Sequence, residues 1–132
     1  MKKDIVIPVV KGVHLAVVKE WNADFSSHDW IIYLINDLKE PLESVMIMSR
    51  GKHRDGRKTS TFRHAFKEVP AKSSLKVELI MENVFPFMNE FVLTYFIGST
   101  LYDKTFMAPP HSINEANLKE LPVMETQGVL LD

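Results

Sequence analysis

The sequence predicts an all-β protein: an immunoglobulin- or fibronectin-like antiparallel β-sandwich of about seven to eight strands, with a short C-terminal helix. Three observations carry that prediction. Apolar residues recur with period two or in short unbroken runs, and β-branched and aromatic types dominate them. Turn-forming residues punctuate these runs at roughly ten-residue intervals. The chain has 132 residues, 45% hydrophobic and 25% charged, which is ordinary for one domain and too short for a second of similar size.

Taken in order, the candidate strands are Ile5 to Val10, Val13 to Glu20, Trp30 to Asn36 and Ser44 to Ser49, then Lys58 to Phe66, Ser74 to Met81, Phe91 to Ile97 and Thr100 to Met107. Gly12, the Asn22 to Asp29 stretch, Lys39 to Pro41, Asp55 with Gly56, Pro70, Pro86, and Gly98 with Ser99 separate them. Gly98 and Ser99 suit a tight hairpin turn in which glycine supplies the positive φ, and Asp55 with Gly56 suits the tip of a longer, basic hairpin. In SLKVELI, Leu75, Val77 and Leu79 share one face and Lys76 and Glu78 the other, as in a half-buried strand. WIIYLIN, VMIM and FVLTYFI are apolar on both faces, so their outer faces call for a cover: the C-terminal segment or a second copy of the chain.

Residues 1–111 are assigned to the sandwich and 112–132 to a helix and tail of the same domain, packed on it or on a partner. Ser112 followed by Glu115 matches a capping box, and INEANLKEL behind it predicts about two helical turns ending at Pro122. The apolar Val123, Met124, Val129, Leu130 and Leu131 then call for docking rather than exposure.

Composition excludes several chemistries. The absence of cysteine removes disulfides, thiolate catalysis, iron–sulfur ligation and Cys-based zinc sites. No apolar run approaches the ~18 to 20 residues of a membrane-spanning helix. Lys2 and Lys3 before an apolar run mimic a signal peptide, but Asp4, Pro8 and Lys11 interrupt it, so a cytoplasmic location without membrane contact is expected.

Net charge is −1, yet its distribution is uneven. Arg50, Lys52, Arg54, Arg57, Lys58 and Arg63 stand against Asp55 alone, and these four arginines are all the chain has. They form the candidate anion- or nucleic-acid-binding site, because guanidinium forks suit phosphate and carboxylate. The plainer reading is a solvated hairpin whose charges protect an exposed edge from pairing. If the strand pairing is unbroken, alternation places Arg57 and Arg63 on one face. GKHRDGRKT nearly matches a phosphate-binding loop, but Arg57 is inserted before Lys58 and TSTFRHAF continues as a strand where a helix is required. Only Phe62 lies among the basic residues, so no base-stacking platform is evident.

Other residues give no catalytic grouping. His14, His28, His53, His64 and His111 lack metal-ligand spacing, and neither a metal nor a cofactor is expected. His28 reads as a loop cap, and His64, alternating with Phe62 and Phe66, as a hydrogen-bonded, partly buried imidazole. No serine sits in G-x-S-x-G, and none groups by spacing with a base and an acid. Glu40 with Glu43 and Glu120 with Glu125 flank prolines and default to solvated charges. Phe85, Phe87, Met88 and Phe91 read as core or interface.

KKDIVIPVVKGVHLAVVKEWN, DWIIYLIND, LESV with SRG, KTSTFRH, AKSSLKVE, NEFVLTYF, LYDKTF, SINE and PVMETQGVLL together resemble, nearly end to end, a family of small uncharacterised bacterial proteins, some of which carry the label phenylalanyl-tRNA synthetase subunit. The resemblance transfers no active-site residue. The chain lacks the length and helices of a class II synthetase catalytic core, so the label implies at most an accessory module that binds tRNA or another anion through residues 50–64. The residues themselves read as a non-enzymatic interaction module that self-associates or binds a protein partner. These two readings remain open from the sequence.

Overall fold

The computed structural model describes residues 8–132. Among them are nine strands: β1 (Val13–Asn22), β2 (Ser27–Asn36), β3 (Leu42–Lys52), β4 (Phe62–Val69), β5 (Ser73–Ile80), β6 (Met88–Ile97), β7 (Thr100–Ala108), β8 (Lys119–Glu120) and β9 (Gln127–Leu130). They form two antiparallel sheets, in the orders β5-β2-β1-β9-β8 and β4-β3-β6-β7. The expected strand at Ile5 to Val10 lies partly outside the described residues, and Pro8 to Val10 form no strand. The described residues contain no α-helix, and hence none long and apolar enough to cross a membrane.

Alternating burial follows from side chains projecting to opposite faces of each strand. Leu15, Val17, Trp30, Ile32 and Leu34 from the first sheet and Val45, Ile47, Phe91, Leu93, Tyr95 and Phe106 from the second build one core between the layers. Each such side chain contributes roughly 1.5–3 kcal/mol by leaving water. Gly98 takes φ +60 in the two-residue turn joining β6 to β7, where Ile97 pairs with Thr100.

The outer face of the first sheet carries a second apolar cluster: Ala16, Val18, Tyr33 and Ile35, closed by Leu121 with Met124 and Leu130 packed beside it. The C-terminal segment supplies that cover. Strand β9 pairs with β1, with Val129 opposite Val17 and Leu130 opposite Ala16, and the Leu131 N–H donates to Leu15 O at 3.0 Å. Gly128 permits the close approach, because a Cβ there would stand 2.9 Å from Val17 O and 2.8 Å from Leu121 Cδ1.

The expected C-terminal helix is absent. A single 3₁₀ turn, Glu115–Asn117, replaces it, and its cap is Asn114, whose side chain accepts from the Asn117 N–H; Ser112 Oγ instead donates to Pro109 O. The reason is reach. Ile113 is buried between the sheets while Leu121 is buried on the far side of the first sheet. An eight-residue helix advances only about 12 Å, whereas extended chain covers about 26 Å and gets round the sheet edge.

Strand β5 also departs from its expected alternation. Its register against β2 shifts between the Ile32–Glu78 and Tyr33–Lys76 pairs, leaving Val77 as an extra residue. Beyond this bulge Glu78 is drawn inward beside Val77, and Leu79 turns outward to 49% exposure.

Candidate anion-binding site

The basic segment forms the turn between β3 and β4, and backbone pairing fixes its shape. The Gly51 N–H donates to Thr59 Oγ1 at 2.6 Å, and the Thr59 N–H returns to Gly51 O at 2.9 Å. Gly51 is buried, and a side chain would not fit there: a Cβ would lie 2.7 Å from Asn89 Oδ1 and 2.9 Å from Thr59 Cγ2. Further out, the His53 N–H donates to Arg57 O and the Gly56 N–H to His53 O, closing a turn in which Gly56 has φ +97.

Asp55 organises the tip. Its carboxylate accepts from the Arg57 backbone N–H at 3.0 Å and from Arg57 Nε at 2.8 Å, and His53 Nδ1 lies 2.9 Å away. These contacts, led by the Arg57 backbone donor, hold the Asp55 carboxyl below its usual range. Phe87 anchors the tip from below: the Arg57 guanidinium sits 5.5 Å from its ring centroid, and the His53 ring meets it edge-on at 5.2 Å.

These contacts sort the six cations. Arg57 is committed to Asp55 and Phe87, and Arg50 to an ion pair with Glu90 on β6. Lys52, Arg54 and Lys58 line a shallow groove of about 940 Å³ with Arg50 and Glu90, and among the described residues none of the three has a carboxylate partner. Lys52 and Lys58 are bridge partners, so two like charges stand directly across from each other. Arg63 lies apart, on β4 opposite Met48. The expected shared face for Arg57 and Arg63 does not form, since the chain leaves regular pairing after Lys58 and resumes it only at Phe62.

A second polar group was hidden in the sequence. Ser49 Oγ donates to the Glu78 carboxylate at 2.8 and 3.1 Å, and His64 Nε2 lies 2.9 Å from Glu78 Oε1. His64 also stacks on Phe66, with ring centroids 6.5 Å apart. The cluster ties β3 and β4 of one sheet to β5 of the other, beside a cavity of about 90 Å³. Only the bulge at Val77 brings Glu78 there, and no spacing rule reveals a bulge. His28 proves to be a strand residue rather than a loop cap, its ring meeting Trp21 edge-on at 5.1 Å, while Asp29 accepts from Asn22. Among the described residues no group of three or more His, Asp or Glu gathers as a metal site.

No protein-family model matches the chain, and no curated protein matches it. Fold and site together define an all-β, two-sheet protein with a basic groove at one hairpin turn.

Proposed function

We propose that this chain is a non-enzymatic binding module of immunoglobulin/fibronectin-like topology, whose groove at the β3–β4 turn holds an acidic segment of a partner protein. The cross-strand pair Lys52 and Lys58 carries the reading. Like charges directly opposite in a sheet are unfavourable alone and favourable once a bound anion lies between them. Arg54 adds a planar fork suited to carboxylate.

Strand order supports the topology: β1, β2 and β5 share one sheet and β3, β6 and β7 the other, as the A, B, E and C, F, G strands do in that fold class. A non-enzymatic role is supported by the burial of Ser49, which is 5% exposed and hydrogen-bonded to Glu78. A nucleophilic hydroxyl must be able to reach a substrate.

The test is anisotropy of labelled polyglutamate and of labelled tRNA titrated with the protein across a salt series. Polyglutamate binding that weakens with salt, and is lost in Lys52→Ala/Arg54→Ala/Lys58→Ala, is expected. Absence of binding at low salt would refute the groove's role. The second reading, an accessory module of a phenylalanyl-tRNA synthetase, draws on the family resemblance and on the suitability of the same cations for a phosphate backbone. Preferential tRNA binding would favour it.

A further inference from the structure

The outer face of the β4-β3-β6-β7 sheet is ordered by charge along the strands. Across strands, one row reads Glu68, Glu43, Phe96, Leu101; the next Ala65, Met46, Thr94, Asp103; the next Arg63, Met48, Val92, Thr105; and the last holds Arg50, Glu90 and Met107. Met46, Met48 and Val92 make an apolar centre, with Met46 53% exposed, bordered by Thr94, Asp103 and Thr105, and Phe96 and Leu101 continue it at one end. Glu43 and Glu68 are directly opposed acids, unfavourable in an isolated sheet. Among the described residues neither has a cationic partner, and Arg63 has no carboxylate.

We infer that this face binds a second copy of the chain, face to face, about a two-fold axis crossing the strands between the Met46–Thr94 and Met48–Val92 rows. That operation lays Met46 on Met48, Val92 on Thr94 and Arg50 over Glu43, and sets Arg63 over Ala65, one row from Glu68. A self-complementary patch is what a two-fold interface requires. Four strands by four rows give a footprint on the order of 500 Å² per copy. That is the size class of a reversible contact rather than an obligate one. Lys52, Arg54 and Lys58, which hold the groove's ligand, lie beyond the last row of the contact, but Arg50 and Glu90 belong to both the contact and the groove wall.

Sedimentation equilibrium tests it on the full chain. The wild type shows a monomer–dimer equilibrium that shifts toward monomer as salt rises. Arg63→Glu, and separately Glu43→Lys/Glu68→Lys, each set like charges against each other and weaken self-association about tenfold or more. Mixed in equal amounts, these two variants re-form a dimer, because each reversed end meets its complement. Melting curves establish that both variants are folded; Arg63→Ala, with Met46→Ser, gives the milder weakening if either is not. A wild type that is monomeric up to its solubility limit, variants that dimerise like the wild type, or dissociated variants whose mixture stays monomeric would each overturn the inference.

Discussion

His64 and Glu78 meet at 2.9 Å across the gap between the two sheets, and Ser49 shares the same carboxylate. Glu78→Ala removes the acceptor and leaves the buried Ser49 hydroxyl unpaired, so a loss of about 2–3 kcal/mol is expected in urea denaturation. Ser49→Ala in the Glu78→Ala background then adds little further loss, the sign of a coupled pair. Full additivity would contradict the shared-acceptor account.

Gly51→Ala forces a methyl group into Asn89 and Thr59, which stand 2.7 and 2.9 Å from the new Cβ. The expected destabilisation is about 1–3 kcal/mol, with polyglutamate binding weakened because Lys52 moves relative to Lys58. Gly56→Ala meets no atom but strains φ +97, so only about 1 kcal/mol is expected there. Equal effects would show that space at Gly51 is not limiting.

Val123 is the centre of a three-residue turn in which the Met124 N–H donates to Pro122 O at 2.6 Å, with φ +67. A β-branched residue is strained in that conformation. Because Val123 is 38% exposed, Val123→Gly removes the strain for little lost burial and stabilises by about 1 kcal/mol after the added flexibility of the unfolded chain. A lower melting temperature would refute it.

Burial raises the phenol of Tyr95 to about 12, and Tyr102 adds to the shift; burial and then the Glu20 carboxylate raise that of Tyr33. In the unfolded chain both ionise near pH 10. Their contribution is therefore complete below about pH 10 and is lost as pH climbs toward the folded values. Tyr95→Phe should flatten the alkaline fall in the urea midpoint, and an unchanged slope would count against it. At the acid end, burial lowers His14 against the opposing pull of Asp37, with Lys104 lowering it further. Its contribution is present above about pH 6.5 and drains away as pH falls, so His14→Gln should flatten that limb.

Period-two patterning made β1, β2, β3, β6 and β7 legible, because each buries alternate side chains in one core. Gly98 announced its turn through the one conformation it makes easy. Glu78 was illegible because a single extra residue at Val77 reverses the alternation, and bulges leave no periodic trace. The helix expected after Ser112 failed for a different reason: capping signals are local, whereas the demand that Ile113 and Leu121 reach opposite sides of a sheet is tertiary. The cluster of six cations was plain in the sequence. Which of them are spent was not, since the Asp55–Arg57 and Arg50–Glu90 contacts arise from the turn and from cross-strand register.

The seam between Val17 and Val129 joins strands drawn from opposite extremes of the described chain. Pairings so distant in sequence form late, since loop closure must be met before they give any return. Refolding is thus set by a zipper that waits for nearly all of the described residues, and until it shuts, the greasy flank of β1 lies open to other chains.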